Sequence, residues 1–187
     1  HCGEISLAED VSIGQFLPDR CVHIRSYSKS HGPDLRIAAV GGAAEVIDPM
    51  VARRMLGPGW TSRLLQAVLL DLLTHADPQE SVRQARIAYT RRGTLLRERL
   101  KDRGVAASPG DGINVWIPVE DERSALITLA AAGIRVAPGS PFIVTADSTT
   151  RDAIRVTTGR LPDDEDRIED VASIIARAAG SAGGTLR

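Results

Sequence analysis

The apolar positions of the chain change rhythm along its length. Residues 21–28, CVHIRSYS, have the β-branched, alternating character of a buried strand, and LRIAAVGG at 35–42 is a second short apolar run stopped by glycines. Between them Gly32 and Pro33 interrupt any regular pairing, so the stretch from Lys29 to Asp34 reads as a loop. From Thr61 to His75 the residues Leu64, Leu65, Val68, Leu69, Leu72 and Leu73 recur at helical spacing after the breakers of GPGW at 57–60. That spacing predicts a helix with one buried face. Asp77-Pro78 suits a helix start, and Val82, Ala85, Ala88, Tyr89, Leu95, Leu96 and Leu100 predict a long arginine-rich helix ending at Gly104. Its length suits a connector between two layers or domains.

Beyond that helix the elements shorten. INVWIPV at 113–119, a helix from about Glu122 to Ala132, GIRVAP at 133–138, AIRVTT at 153–158 and a last helix from Asp164 to Ala179 predict a compact α+β unit. The natural division is therefore 1–76 and 77–187. The tail SAGGTLR is small and polar and is expected to be disordered. There is no internal repeat and no low-complexity tract.

At 187 residues, 43% hydrophobic and 25% charged, the chain can bury a real core in one domain or two small ones. Its formal net charge of −1 lacks the basic excess of a nucleic-acid or membrane surface, so any DNA-binding part is expected elsewhere. No apolar run is long enough to cross a bilayer and the N-terminus has no signal-peptide pattern, which suggests a cytoplasmic protein. The first residue is His1 and the chain enters at once into loop, which reads as part of a longer protein. Cys2 and Cys21 are expected as free thiols. His1, Cys2, Cys21 and His23 do not match the usual zinc spacings, and no metal is expected.

One feature of composition directs attention to a site. Nearly all basic residues are arginine, and the only lysines are Lys29 and Lys101. Around Lys29, Ser26-Tyr27-Ser28-Lys29 and Gly32-Pro33-Asp34-Leu35-Arg36 place two hydroxyls, one amine, a glycine turn and a guanidinium in one strand-to-strand loop. A phosphorylated aldehyde requires these groups. Its capture needs a neutral primary amine, which excludes arginine. An unshifted lysine, with a pKa of about 10.4, is neutral in roughly one molecule in 2,500 at pH 7. A site would have to lower that value by desolvation or a nearby cation, for which a buried strand end and Arg36 are available. Ser26, Ser28 and Arg36 are also suitable donors to a phosphate, at about 1.5–3 kcal/mol per charge-assisted bond. As a bare tetrapeptide, S-x-S-K fits a solvated loop with a surface lysine better than it fits a site. His31 could touch the phosphate or point to solvent, while Tyr27, Trp60 and Trp116 read as core residues.

The longer string SYSKSHGPDLRIA resembles the lysine loop of class I/II aminotransferase-like proteins that use pyridoxal 5′-phosphate (PLP), in the variant of the MocR branch of GntR-type regulators. In that variant an arginine follows the lysine by seven residues, as Arg36 follows Lys29. W60-TSRLLQA, ARIAYTRR at 85–92, GINVWIP at 112–118, GIRVAPGSPF at 133–142 and AIRVTTG at 153–159 fall in the family's order, so the likeness spans nearly the whole chain. It implies an α/β architecture: the C-terminal part of an aspartate aminotransferase-like fold. Residues 1–76 would finish the PLP-binding large domain, with strands of a mostly parallel seven-stranded sheet, and 77–187 would form the linking helix and small α+β domain.

The resemblance further implies that Lys29 forms the cofactor's imine and that Ser26, Ser28, Lys29 and Arg36 hold PLP. It places His1 where the family usually has a tyrosine bonding the ring hydroxyl. Arg155 would bind the carboxylate of an amino-acid ligand, for which its forked donors are suited. The aspartate that bonds the pyridine nitrogen in the family lies earlier than His1. Without it the ring is a poorer electron sink, and the chain alone is expected to be inactive as an aminotransferase. The leading functional expectation is the amino-acid- or amine-sensing part of a MocR/GntR-like transcriptional regulator, homodimeric and reaching DNA through an upstream domain. The alternative is a class I/II aminotransferase with the same local chemistry.

Overall fold

A computed structural model describes residues 3–8, 11–144 and 151–180. His1, Cys2 and the tail SAGGTLR lie outside the described residues. The chain divides into two compact units, His1–Arg86 and Ile87–Arg187, and the division falls inside the long helix.

In the first unit, β1 (His23–Ser26) and β2 (Ala38–Gly41) form an antiparallel pair in which Ser26 faces Ala38 and His23 faces Gly41. Helix α1 (Ala44–Met55) and helix α2 (Arg63–Thr74) follow, and α3 (Ala76–Lys101) begins here. The Ser62 hydroxyl accepts the Leu65 N–H at 3.4 Å and caps α2, leaving one fewer unpaired amide in the first turn. Helix α1 has no counterpart in the sequence reading. It carries Pro49 in its interior and has no buried residue, so neither composition nor periodicity announces it.

Three expectations for this unit are corrected. The strand at 21–28 is not buried: His23 and Ile24 are exposed, Ile24 to 59%. In α2 only Leu69 is buried, while Leu64 and Val68 face outward. Trp60 is 79% exposed and not a core residue. These departures share one physical cause. Among the described residues of this unit only Ile5, Leu35 and Leu69 are buried hydrophobics, so its apolar faces are formed but not covered.

The second unit holds the hydrophobic core. It contains β3 (Asn114–Pro118), α4 (Glu122–Ala131), β4 (Ala137–Pro138), β5 (Ala153–Thr157) and α5 (Glu165–Ala178). The sheet order is β3-β5-β4, antiparallel throughout. Val115 and Ile117 of β3 and Ile154 and Val156 of β5 pack with Leu96 and Leu100 of α3, Leu129 of α4, and Ile168 and Ile175 of α5. Strand alternation then puts Trp116 and Arg155, which are register partners, on the opposite sheet face, with Ala137 next to Arg155. Gly93 lets α3 approach the β5 end, since a Cβ there would lie 3.0 Å from Cγ2 of the buried Thr158. Asp121 and Asp164 cap α4 and α5 by accepting the Ser124 and Arg167 amides at 2.6 and 3.0 Å.

Candidate functional site

The connection between β1 and β2 carries Ser26, Ser28, Lys29 and Arg36. Ser26 ends β1, and the Tyr27 N–H donates to the Ile37 carbonyl at 3.1 Å, closing the hairpin base. Tyr27–Lys29 and Pro33–Leu35 are two 3-10 turns, and the His31 amide bonds back to the Tyr27 carbonyl at 2.9 Å. Ser26 and Ser28 are half-buried, whereas Lys29 and Arg36 are exposed. The desolvation of Lys29 expected from the sequence is thus not supplied by the described residues, because this unit buries so little around it.

Arg36 has φ 50° and ψ 30°, the only positive φ outside glycine among the described residues. For an L-residue this left-handed conformation costs about 1–2 kcal/mol, and an arginine gains nothing from it locally. Gly32, at φ 122°, occupies a region that only glycine enters without strain. Together they turn the chain sharply on either side of Pro33-Asp34-Leu35.

The loop is held by a residue that the sequence does not flag. Glu4 accepts two bonds from Arg25 on one carboxylate oxygen, from Nε at 2.9 Å and Nη2 at 2.7 Å, and one from the Ser30 hydroxyl on the other at 2.9 Å. Arg86 Nε donates to the Glu4 carbonyl at 2.6 Å. Burial opposes ionisation of Glu4, but bonds from its own backbone, Arg25 and Ser30 outweigh that and hold its carboxyl below the ordinary value. Because the ionised carboxylate only accepts, the single Ser30 proton goes to Glu4. The His31 Nδ1, 2.8 Å from the Ser30 hydroxyl oxygen, must then donate to it, which sets the His31 tautomer. The Tyr27 ring meets His31 edge-on at 5.9 Å. No spacing rule links residue 4 to residues 25 and 30.

Arg155 belongs to the second unit. Its Cζ lies 4.4 Å from the Phe142 ring centroid, and its Nε is buried without a hydrogen-bond partner among the described residues. It also lines an open cleft of about 950 Å³ that carries Arg135, Arg160 and Arg167 against Asp170. A dehydrated, unpaired N–H on a cation in such surroundings favours an anionic ligand. Cys21 is a free thiol, and the described residues contain no cluster of metal-ligating side chains.

No family model matches the chain. Over 143 residues, 76% of this chain and 33% of the relative, it is 38% identical to the vitamin B6 salvage pathway transcriptional repressor PtsJ of Salmonella typhimurium. A Thermus thermophilus aspartate aminotransferase variant superposes with a TM-score of 0.77 at 24% identity, covering 94% of this chain and 48% of that one. This chain has the aminotransferase-like α/β fold, over its C-terminal part. The Pyrococcus horikoshii aromatic aminotransferase shows the same fold at 19% identity, with a TM-score of 0.76 over 93% of this chain and 48% of that one. The aminotransferase-like chain thus spans a third of the regulator and about half of these enzymes. In this domain no helix among the described residues is long and apolar enough to cross a membrane.

Proposed function

We propose that this chain is the PLP-binding, ligand-sensing part of a MocR-type transcriptional regulator. The observation that carries the reading is its 38% identity, over 143 residues, to a repressor of vitamin B6 salvage. The donor set fits PLP by its chemistry. Lys29 supplies the amine for the aldehyde, Ser26, Ser28 and Arg36 supply donors and charge for the phosphate, and His1 stands in sequence where a ring contact is expected. The strained conformation of Arg36 supports the same assignment, since such backbone outliers cluster where a side chain must be aimed at a ligand.

When bound, PLP supplies an electrophilic carbon for primary amines and a ring that withdraws electrons from an attached amino acid. The chain's own residues position it. The Glu4–Arg25–Ser30 bonds fix the loop that carries Lys29, and Arg155 offers its guanidinium to the carboxylate of an amino-acid ligand. In the regulator reading the intact protein is a homodimer that contacts DNA through another domain. A second reading, a working aminotransferase, is favoured by the enzymes that share the fold.

Borohydride treatment of the intact protein incubated with PLP tests the cofactor assignment. A stable pyridoxyl label on Lys29, absent in Lys29→Ala, is expected, and label elsewhere or none at all refutes it. The two readings part on function. Ligand-dependent DNA binding without turnover of amino donors supports the regulator, and sustained turnover supports the enzyme.

A further inference from the structure

The guanidinium of Arg155 is set between groups that the ligand reading leaves unused. The Phe142 ring covers it at 4.4 Å and meets Trp116 edge-on at 6.4 Å and 83°. Phe142 ends the 3-10 turn Ser140–Phe142, and that turn is tied to a single side chain on another element. Glu122, in the first turn of α4, accepts the Gly139 and Ser140 amides on Oε2 at 2.7 and 2.8 Å and the Ser140 hydroxyl on Oε1 at 2.7 Å. Its own amide donates to Asp152 at 2.9 Å, one residue before β5. Gly139 sits against this sheet so tightly that a Cβ would lie 2.6 Å from the Ala153 oxygen and 2.9 Å from Trp116. The turn therefore has one seat, and Phe142 one position over Arg155.

We propose that Glu122 and Phe142 are positioning residues for Arg155: Glu122 holds the 139–142 turn, and the Phe142 ring fixes the guanidinium plane for a carboxylate ligand. This rests on the reading of Arg155 as the carboxylate clamp. An exposed arginine samples many rotamers, and ordering it upon binding costs affinity. A ring on one face removes that cost while leaving the in-plane N–H groups for a planar, bidentate partner. The arrangement makes the site selective for ligands that carry a carboxylate over amines of the same skeleton that lack one. Phe142 is 51% exposed, so its role is not core packing.

The test uses the intact, PLP-loaded protein and measures affinity from the cofactor's absorbance change, for amino acids and for their decarboxylated amines. Phe142→Leu is expected to weaken amino-acid binding about tenfold and leave amine binding unchanged. Phe142→Tyr, which keeps the aromatic face, is expected to restore it. Glu122→Ala is expected to reproduce the Phe142→Leu pattern, and Glu122→Gln, which keeps an acceptor for the two amides, to retain most affinity. A cofactor-independent readout is the Arg155 Nε–H resonance of the unliganded protein. Its ring-current shift is expected to vanish in Phe142→Leu and to broaden in Glu122→Ala. Should Arg155→Ala leave amino-acid affinity unchanged, the clamp reading itself falls. Should Arg155→Ala abolish it while Phe142→Leu does nothing, or weakens amines equally, the clamp stands and the positioning roles are overturned.

Discussion

Replacing Arg36 by glycine separates backbone strain from ligand binding, because the two effects have opposite signs. At φ 50° the native arginine sits in a conformation costing about 1–2 kcal/mol relative to its right-handed state, a cost glycine does not incur. Against this, glycine makes the unfolded chain more flexible, worth about 0.4–1 kcal/mol. The Arg36 side chain is exposed, so it gives up little packing. The net expectation is a protein stabilised by about 0.5 kcal/mol without cofactor. On the proposed assignment the same change also deletes a charge-assisted bond to the phosphate of about 1.5–3 kcal/mol, roughly a 10- to 150-fold loss of PLP affinity. Chemical denaturation of the cofactor-free protein and a fluorescence titration with PLP measure the two quantities. Retention of parental PLP affinity would refute the role of Arg36. Destabilisation by more than about 1 kcal/mol would show that its backbone conformation is supported by contacts rather than strained.

Two further predictions follow from the same geometry. Gly139→Ala forces a Cβ to 2.6 Å from the Ala153 oxygen, and a destabilisation of about 1–3 kcal/mol by overpacking is expected in denaturant titration. Glu4 has a folded value below the ordinary 4.5, so its contribution is complete above about pH 4.5 and disappears as pH falls through the lower folded value. Amide exchange over residues 25–31, corrected for intrinsic rates, is expected to accelerate in that acid window. Glu4→Gln should show the fast rate already at pH 7, and equal protection in the two proteins would remove Glu4 from the loop's support.

What could be read from the sequence followed from how local each determinant is. The periodicity of Val115, Ile117, Ile154 and Val156 found the second unit's sheet, because these residues bury where alternation says they should. The apolar runs of the first unit misled. Ile24, Leu64 and Trp60 carry the pattern of a core that the described residues do not complete, and periodicity reports a capacity for burial rather than burial itself. The lysine loop stood out because lysine is rare here and its spacing to Arg36 is distinctive. Glu4 and Glu122 could not be found in this way. Each acts across a separation set by tertiary structure, through bonds to backbone amides or hydroxyls that many residue types could offer.

The lysine loop of the first unit and the Arg155 strand of the second are therefore held by different physics. Arg155 rides on a strand whose neighbours Ile154 and Val156 are 0% and 5% exposed, and dry packing of this kind is insensitive to salt and to pH between the titrations of its few charged contacts. The lysine loop has one buried apolar side chain within it, Leu35, and is otherwise held by Glu4, Arg25 and Ser30 through ionic and hydrogen bonds that water can compete for. Of two elements held in these ways, the polar one has the lower cost of local opening. On the proposed assignment, cofactor capture at Lys29 should then respond to acid and ionic strength under conditions that leave the strand carrying Arg155 unchanged.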